Sequence, residues 1–346
     1  MIKIDGSYLE GGGQILRTAS AFSVITKKPC HIFNIRKGRK KPGLMTQHLL
    51  GLRALAELCN GKLEGDKIYS EEIKFFPGEI KEKILNIEIP TAGSITLILQ
   101  SLIPVGIKNG IKIIFNGGAT DTFFSPTLDY FRYVFLEILK RFGLKVKLNV
   151  LKRGFYPKGG AKVKIEIYPS QIKPIFLLER GRLEEITIIS GASRDLKLKK
   201  VAERQIQSAI RILQSDKFQN TNKFQNTKVS KIVEYYDTDC PGSQINIIGK
   251  FAHTIMGADN LGEIGKTAEK VGKEAAISFL EELKSESTVD KYLSDQILPY
   301  MALAGKGAIK VKEITSHCKT NIWVMEKFLD KKFKIKDNKI LFGVEG

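Results

Sequence analysis

One order of pattern is written along this chain three times, and it limits the fold more than any single residue does. Strand-like I-K-I-D (Ile2–Asp5) runs into E-G-G-G-Q at 10–14 and a helix over 15–25. A strand over 31–35, the basic loop R-K-G-R-K-K-P-G-L and a helix over 46–60 follow. That helix carries Leu49, Leu52, Leu55 and Ala56 at helical spacing and stops at Gly61. Short strands near 62–64 and 72–76 complete the unit. The order then returns: strand 85–89, the small-residue loop T-A-G-S at 91–94, helix 95–105, strand 111–115, helix 128–142, strands 145–150 and 161–168. It appears again around His317. An apolar helix over 297–304 ends at Gly305 and Gly307, and Ile309, Val311 and Ile314 mark a strand. His317 is expected in the loop after it, with Thr320 and Asn321 capping a helix over 322–329, and strands over 332–335 and 339–342 close the unit. Three copies predict an α/β (α+β) fold built from a repeated β-α-β-α-β-β unit.

The stretch 183–285 does not fit the unit. It reads β (185–190), α (198–214), β (229–236), β (244–250), α (265–283), a small α/β domain inserted in a larger one. The expected division is a discontinuous body, 1–182 with 286–346, and an insert, 183–285. Within the insert, K-F-Q-N-T-N is followed directly by K-F-Q-N-T-K at 217–228, the pattern of a polar surface-loop expansion.

Composition narrows the partners. The 346 residues are 42% hydrophobic, enough for a globular core, while the formal net charge is +19. A surplus spread along the whole chain points to a polyanion, and nucleic acid is the usual one. Cys30, Cys59, Cys240 and Cys318 form no C-x-x-C pair, so neither a zinc site nor a disulfide framework is expected. The apolar stretch over 95–107 is broken by Gln100 and Pro104 and is too short for a bilayer. With a strand-like start and no leader pattern, the expected location is the cytoplasm, with no membrane partner. A homo-oligomer is left open.

Each unit's first helix follows a loop of small or polar residues: E-G-G-G-Q, T-A-G-S and Y-L-S-D-Q. Open N–H groups at such starts attract anions, and repeat symmetry would gather three of them into one cleft. Arg36, Arg39 and the rest of the basic loop, followed by Gln47 and His48, add phosphate donors. One motif is set aside. N-L-G-E-I-G-K-T at 260–267 approaches the phosphate-loop pattern but has Asn260 where the turn needs glycine, and no clear hydrophobic strand leads directly into it. There is no G-x-S-x-G elbow and no H-E-x-x-H helix. Of the four histidines only His48 and His317 have a polar, loop-rich context, and His317 has Tyr292, Asp295 and Gln296 close in sequence.

The residues D-G-S-Y-L-E-G-G-G-Q-I-L-R-T, R-K-G-R-K-K-P-G-L-M-T-Q-H, G-G-A-T-D, R-G-F-Y-P-K-G-G, K-Y-L-S-D-Q and S-H-C-K-T-N-I span nearly the whole chain. Together they resemble the RNA 3′-terminal phosphate cyclase family. The resemblance implies three repeats plus an insert. It also implies an ATP-dependent conversion of RNA 3′-phosphate ends to 2′,3′-cyclic phosphodiesters, with His317 as the nucleophile that becomes AMP-linked. Nucleotide contacts would fall on Glu10, Gln100, Pro126, Tyr292, Leu293, Ser294, Asp295 and Gln296. Glu10 would also meet a divalent metal, Mg2+ or Mn2+, and Arg17, Arg36, Arg39, Gln47 and His48 would face the RNA phosphate. One departure is Ala161, where the family often has a third glycine. A non-catalytic ribosome-biogenesis protein of the same fold would lack the histidine, and enolpyruvyl transfer on a related repeat fold would not need the charge.

Overall fold

The computed structural model describes residues 1–215 and 227–344, so most of the tandem hexamer lies outside the described residues. The first unit is β1 (Ile2–Asp5), α1 (Gly13–Thr26), β2 (Cys30–Phe33), α2 (Thr46–Leu58), β3 (Lys62–Glu64) and β4 (Ile73–Phe76). Its sheet runs β1-β2-β4-β3, with the first pair parallel and the others antiparallel. A parallel pair needs a crossover, and α1 supplies it. The second unit is β5 (Ile84–Ser94), α3 (Ile95–Asn109), β6 (Ile111–Ala119), α4, β7 (Lys145–Lys152) and β8 (Lys162–Tyr168). α4 runs Leu128–Tyr130, through a π turn at Phe131–Phe135, to Leu136–Arg141. The sheet order is β5-β6-β8-β7, again first, second, fourth, third. α3 continues through Pro104, which has no N–H for the carbonyl of Gln100.

After β9 (Ile175–Leu177) comes a different layer: β10 (Leu183–Ser193), α5 (Val201–Leu213), β11 (Lys228–Tyr236), β12 (Ser243–Phe251), β13 (Ile255–Leu261) and α6 (Ala268–Lys284). Its sheet runs β11-β10-β12-β13. The strand β13 was not expected, because M-G-A-D-N-L carries neither a run nor an alternation of apolar residues. The chain then returns through α7 (Lys291–Gln296), α8 (Leu298–Leu303), β14 (Gly307–Lys310), α9 (Ser316–Phe328), β15 (Phe333–Lys336) and β16 (Lys339–Phe342). Here β9 supplies the first strand: the sheet is β9-β14-β16-β15, the same order, with β9 parallel to β14.

The two faces of the β10–β13 sheet go to different places. Ile186, Ile188, Ile245 and Ile247 pack under α5 and α6 in a core of their own. Ile189, Ile248 and Ile255 join the main core, and a side chain at Gly257 of β13 would collide with Val134 and Tyr130 of α4. Between these layers lies a buried ionic knot. Arg153, 6% exposed, reaches Asp129 at 2.5 Å and Asp121 at 3.4 Å. The Gln244 amide donates to Asp129 at 2.8 Å, and the guanidinium lies 4.9 Å from the Tyr236 ring centre. Burial pushes Asp121 up, against the pull of Arg153, while the two carboxylates keep Arg153 charged well above its ordinary range. Removing the cation strands two buried carboxylates. Arg153→Met is therefore expected to lower unfolding stability by about 3–5 kcal/mol in a denaturant titration. Breaking the exposed Lys140–Glu137 pair with Lys140→Ala is expected to cost less than about 1 kcal/mol.

Candidate active site

His317 is not in a loop. Thr315 caps α9 through the N–H of Cys318, so the histidine stands in the helix's first turn. Thr320 and Asn321, expected as caps, are internal, and the Thr320 hydroxyl bonds back to the Ser316 carbonyl at 2.7 Å. The shift puts His317 and Asn321 on one face, four residues apart. Three contacts bring the first unit to that face. Tyr8 stacks on Trp323 with ring centres 4.1 Å apart, the Gln14 amide donates to the His317 carbonyl at 2.5 Å, and the Thr18 hydroxyl donates to Asn321 at 2.7 Å.

With its oxygen held by Thr18, the Asn321 amide donates to Asp295, at 3.1 Å to the carbonyl and 3.3 Å to the carboxylate. That carboxylate faces His317 Nδ1 at 3.8 Å, a charge contact rather than a hydrogen bond. On the other side of the ring, Glu10 Oε2 lies 2.6 Å from Nε2. Asp295 and then Glu10 hold the imidazole above its ordinary pKa, in spite of partial burial. They also outweigh the start of α9, whose dipole favours the neutral ring. Cys318, next in sequence, is no rival nucleophile: burial, with Asp295 nearby, pushes its thiol up to about 11.

Cations gather on the Glu10 side. Arg39 Nη2 is 3.9 Å from Glu10 and lies over Gly12, where a Cβ would be 3.6 Å away. Arg17, partly buried on α1, feels Asp295; burial lowers its pKa to about 10, which leaves it charged at neutral pH. His48 is buried, and burial followed by Arg17 and Arg36 pushes it down to about 3, so it is a neutral ring. Its Nδ1 accepts the Met45 N–H at 3.2 Å, which leaves Nε2 as the donor, against Gly13. A Cβ at Gly13 would sit 2.1 Å from that nitrogen, which is why the loop needs glycine there. The Gln47 carbonyl oxygen is occupied by the Ser94 N–H at 3.2 Å, and Arg36 by the carbonyl of Gly43 at 3.0 Å.

Of the three helix starts, one stays open. α1 has Gly12 and no side-chain cap, whereas Ser94 caps α3 and the buried Asp290 carboxylate caps α7 through the N–H groups of Tyr292 and Leu293. Asp290 also accepts the Tyr130 hydroxyl at 2.6 Å and the Gly257 N–H at 2.9 Å. The expected threefold anion cleft is therefore a single one, at E-G-G-G-Q. On α7, Leu293 and Ser294 point inward, and the Ser294 hydroxyl meets the Lys291 carbonyl and Cys318. Tyr292 is half exposed, and Gln296 Oε1 is buried with no hydrogen-bond partner among the described residues. Gln100 is half-buried on α3, and the Pro126 carbonyl accepts the Thr96 hydroxyl at 2.9 Å. Ala161 needs no glycine conformation: it pairs with Gly117 and Gly118 through ordinary backbone bonds.

The motif set aside at 260–267 does follow a strand, β13, contrary to expectation. That strand is an antiparallel edge, and Lys266 is held by Glu274 at 2.7 Å and Asn260 at 3.1 Å. No described helix is long and apolar enough to cross a membrane. Sequence reading missed Gln14, Thr18 and Asn321 as parts of the site; the signal available for Asn321 was its spacing from His317.

A family model described as RNA 3′-terminal phosphate cyclase matches residues 8–335. A protein of that name from Thermococcus onnurineus (strain NA1) is 42% identical over 337 residues, 97% of this chain and 95% of that protein. Those from Saccharolobus solfataricus and Thermococcus kodakarensis are 43% identical, covering 97% and 96% of this chain and 96% and 94% of theirs.

The carboxylates set a titration that can be read directly. Asp295→Asn removes the negative charge that favours the imidazolium, so the pKa of His317 is expected to fall toward 6.5. Proton NMR of the ring, assigned by its loss in His317→Ala, measures this. An unchanged titration would mean that Asp295 does not govern the ring.

Proposed function

The chain belongs to the RNA 3′-terminal phosphate cyclase family, and from that premise we propose that it uses ATP to close RNA 3′-phosphate ends into 2′,3′-cyclic phosphodiesters through a His317–AMP intermediate. The observation that carries this reading is His317 between two carboxylates, Asp295 on Nδ1 and Glu10 on Nε2, with Arg17 and Arg39 beside them. Residues 1–182 with 286–346 form the catalytic body in this reading, and 183–285 the insert.

A terminal phosphate is a poor electrophile because its charged oxygens repel a nucleophile and oxide would have to leave. Covalent catalysis splits the problem. Asp295, aimed by Asn321 and Thr18, keeps the proton on Nδ1 and stabilises charge on the ring. Nε2 attacks the α-phosphorus of ATP; the N–P bond forms as the bond to pyrophosphate breaks. An oxygen of the RNA 3′-phosphate then takes the AMP, freeing His317 and giving RNA-(3′)pp(5′)A. The vicinal 2′-oxygen attacks the RNA phosphorus, its proton goes to solvent, and AMP leaves. Arg17 and Arg39 hold the phosphates, and the open start of α1 adds backbone donors. The half-exposed ring of Tyr292 and the unpartnered Gln296 oxygen are left for the nucleoside.

Among the described residues there is no group of three ligating side chains. Glu10 fits the mode in which Mg2+ or Mn2+ is bound by one carboxylate and the nucleotide's phosphates, where it neutralises charge on the leaving group. Glu10 would hold that cation; without the Glu10 charge on Nε2 the imidazole holds its proton less tightly, which favours the neutral, nucleophilic ring.

With ATP labelled in its α-phosphate and Mg2+ or Mn2+, the protein is expected to label itself without RNA. The adduct should be acid-labile and base-stable, as a phosphoramidate is, absent in His317→Ala and present in Lys266→Ala. The opposite lability, or the reverse pattern of variants, would move the nucleophile elsewhere.

An RNA whose last sugar lacks the 2′-hydroxyl but keeps the 3′-phosphate separates the steps. Ring closure gains from an oxygen already placed on the same ribose, worth about 7–11 kcal/mol of barrier. Without that oxygen the AMP-capped RNA is expected to accumulate, carrying the α-label and running about one nucleotide slower on a denaturing gel. Joining to another strand would instead make the protein a ligase, and no AMP transfer would place the 2′-hydroxyl in recognition.

A further inference from the structure

Two neighbouring loops carry exposed aromatic rings. Phe124 is fully exposed at the tip of the loop after β6, and its φ of 60° is the left-handed conformation that a bulky residue avoids. Phe123 is 37% exposed and meets the ring of Tyr156, itself 57% exposed, at 5.9 Å. The two loops are joined by a bridge between Asp121 and Phe155. The first loop ends at Pro126, whose carbonyl is held by Thr96 in the first turn of α3. α4, which starts just after, sends Tyr130 to the Asp290 that caps α7, the helix of Asp295. The loop of Phe124 is thus tied through Pro126 to α3 and through α4 to α7, the helix of Asp295.

The second loop leads on to the insert. The Cys240 thiol meets the Phe155 carbonyl at 3.3 Å, a side chain at Gly242 would strike the Phe155 ring, and the Gly242 carbonyl accepts the Ser193 N–H at 2.8 Å. Directly after Ser193 comes R-D-L-K-L-K-K at 194–200, all exposed but Leu196, with Leu198 98% exposed. Arg194 is paired with Asp237, but Lys197, Lys199 and Lys200, and Lys158 beside Tyr156, have no ion-pair partner among the described residues. Asp195 is the one acid in the turn.

We infer that this face, from Phe124 and Tyr156 to the lysines of the insert, is the track for single-stranded RNA leading up to the terminal phosphate. Exposed rings offer stacking to any unpaired base, and unpaired cations follow the backbone phosphates. The charge surplus of the chain fits such a partner. This gives the insert a share in substrate choice and rests on the cyclase reading for the position of the 3′ end. The competing occupant of the rings is the adenine of ATP.

Two variants test it: Phe124→Ser with Tyr156→Ser, and Lys197→Ala with Lys199→Ala and Lys200→Ala. All five side chains are exposed, so folding is not at stake. The probe is a fluorescein-labelled single-stranded RNA 3′-phosphate of roughly ten nucleotides, read by anisotropy, with KM for cyclising the same RNA and a dinucleotide 3′-phosphate. Each variant is expected to weaken binding and raise KM for the longer RNA about tenfold or more, and to affect the dinucleotide and autoadenylylation far less. The lysine variant should also flatten the salt dependence of binding. Unchanged binding of the longer RNA overturns the proposal, and so does an equal loss in autoadenylylation, which would assign the rings to adenine. Anisotropy needs neither ATP nor turnover. A protein that binds through this face yet never adenylylates itself therefore keeps the track and loses the cyclase reading.

Discussion

The hydrogen bond from Thr18 to Asn321, 303 residues apart in sequence, is the contact through which the site exists. Alone it is worth about 0.5–1.5 kcal/mol. Its weight lies in direction: the Asn321 oxygen is taken by the hydroxyl, so the amide must point at Asp295, and Asp295 must face the ring. The stacking of Tyr8 on Trp323 and the bond from Gln14 to the His317 carbonyl fix the two helices at either side of that line. These three contacts all cross between units. The first and last units each make half of the arrangement, and the pairing of α1 with α9 completes it.

The same logic governs the insert. A sheet whose one face packs under its own helices could hang freely, but Ile189, Ile248 and Ile255 turn the other face into the main core. Arg153 then makes the junction specific. Its guanidinium is satisfied only where Asp121, Asp129 and the Tyr236 ring meet, and the last belongs to the insert. An apolar junction of similar area could be as stable; the charges fix which residues must face each other.

Much of this was legible in the sequence, for reasons that differ by element. The strands of the first two units and their helices follow from apolar spacing, which local burial imposes on any chain. The first strand of the third unit was missed because the insert parts Ile175–Leu177 from the sheet it completes. The start of α9 was placed too late because Thr320 and Asn321 are good caps by type. Thr315 is the cap in fact, since only there does a hydroxyl meet a free N–H. His317, Asp295 and Glu10 lie in stretches that carry the family resemblance. Which helix start stays open to an anion had no signature: Asp290 closes α7 from within, and its burial depends on Tyr130 and Gly257, far off in sequence. Arg36 looked equal to Arg39 in the basic loop, but the backbone turns it back onto Gly43.

The parted third sheet also sets an order of events as the chain is made. Ile175–Leu177 leaves the ribosome early and has its parallel partner only once Gly307–Lys310 has followed, after the whole insert. Until then β9 is an open edge with Phe176 beside it, the kind of strand that pairs with strangers. The insert, made in between, has a core of its own that can form without waiting. Its completion brings the two ends of the interrupted unit together, and the Thr288 hydroxyl then bonds to the Leu177 carbonyl across the gap. Loop closure there is a matter of a folded block already in place, not of a long free chain. The helix of His317, α9, is thus also the last helix in time. A chain that stops short of it also lacks β15 and β16, half of the third sheet, and has no His317 to set between Glu10 and Asp295.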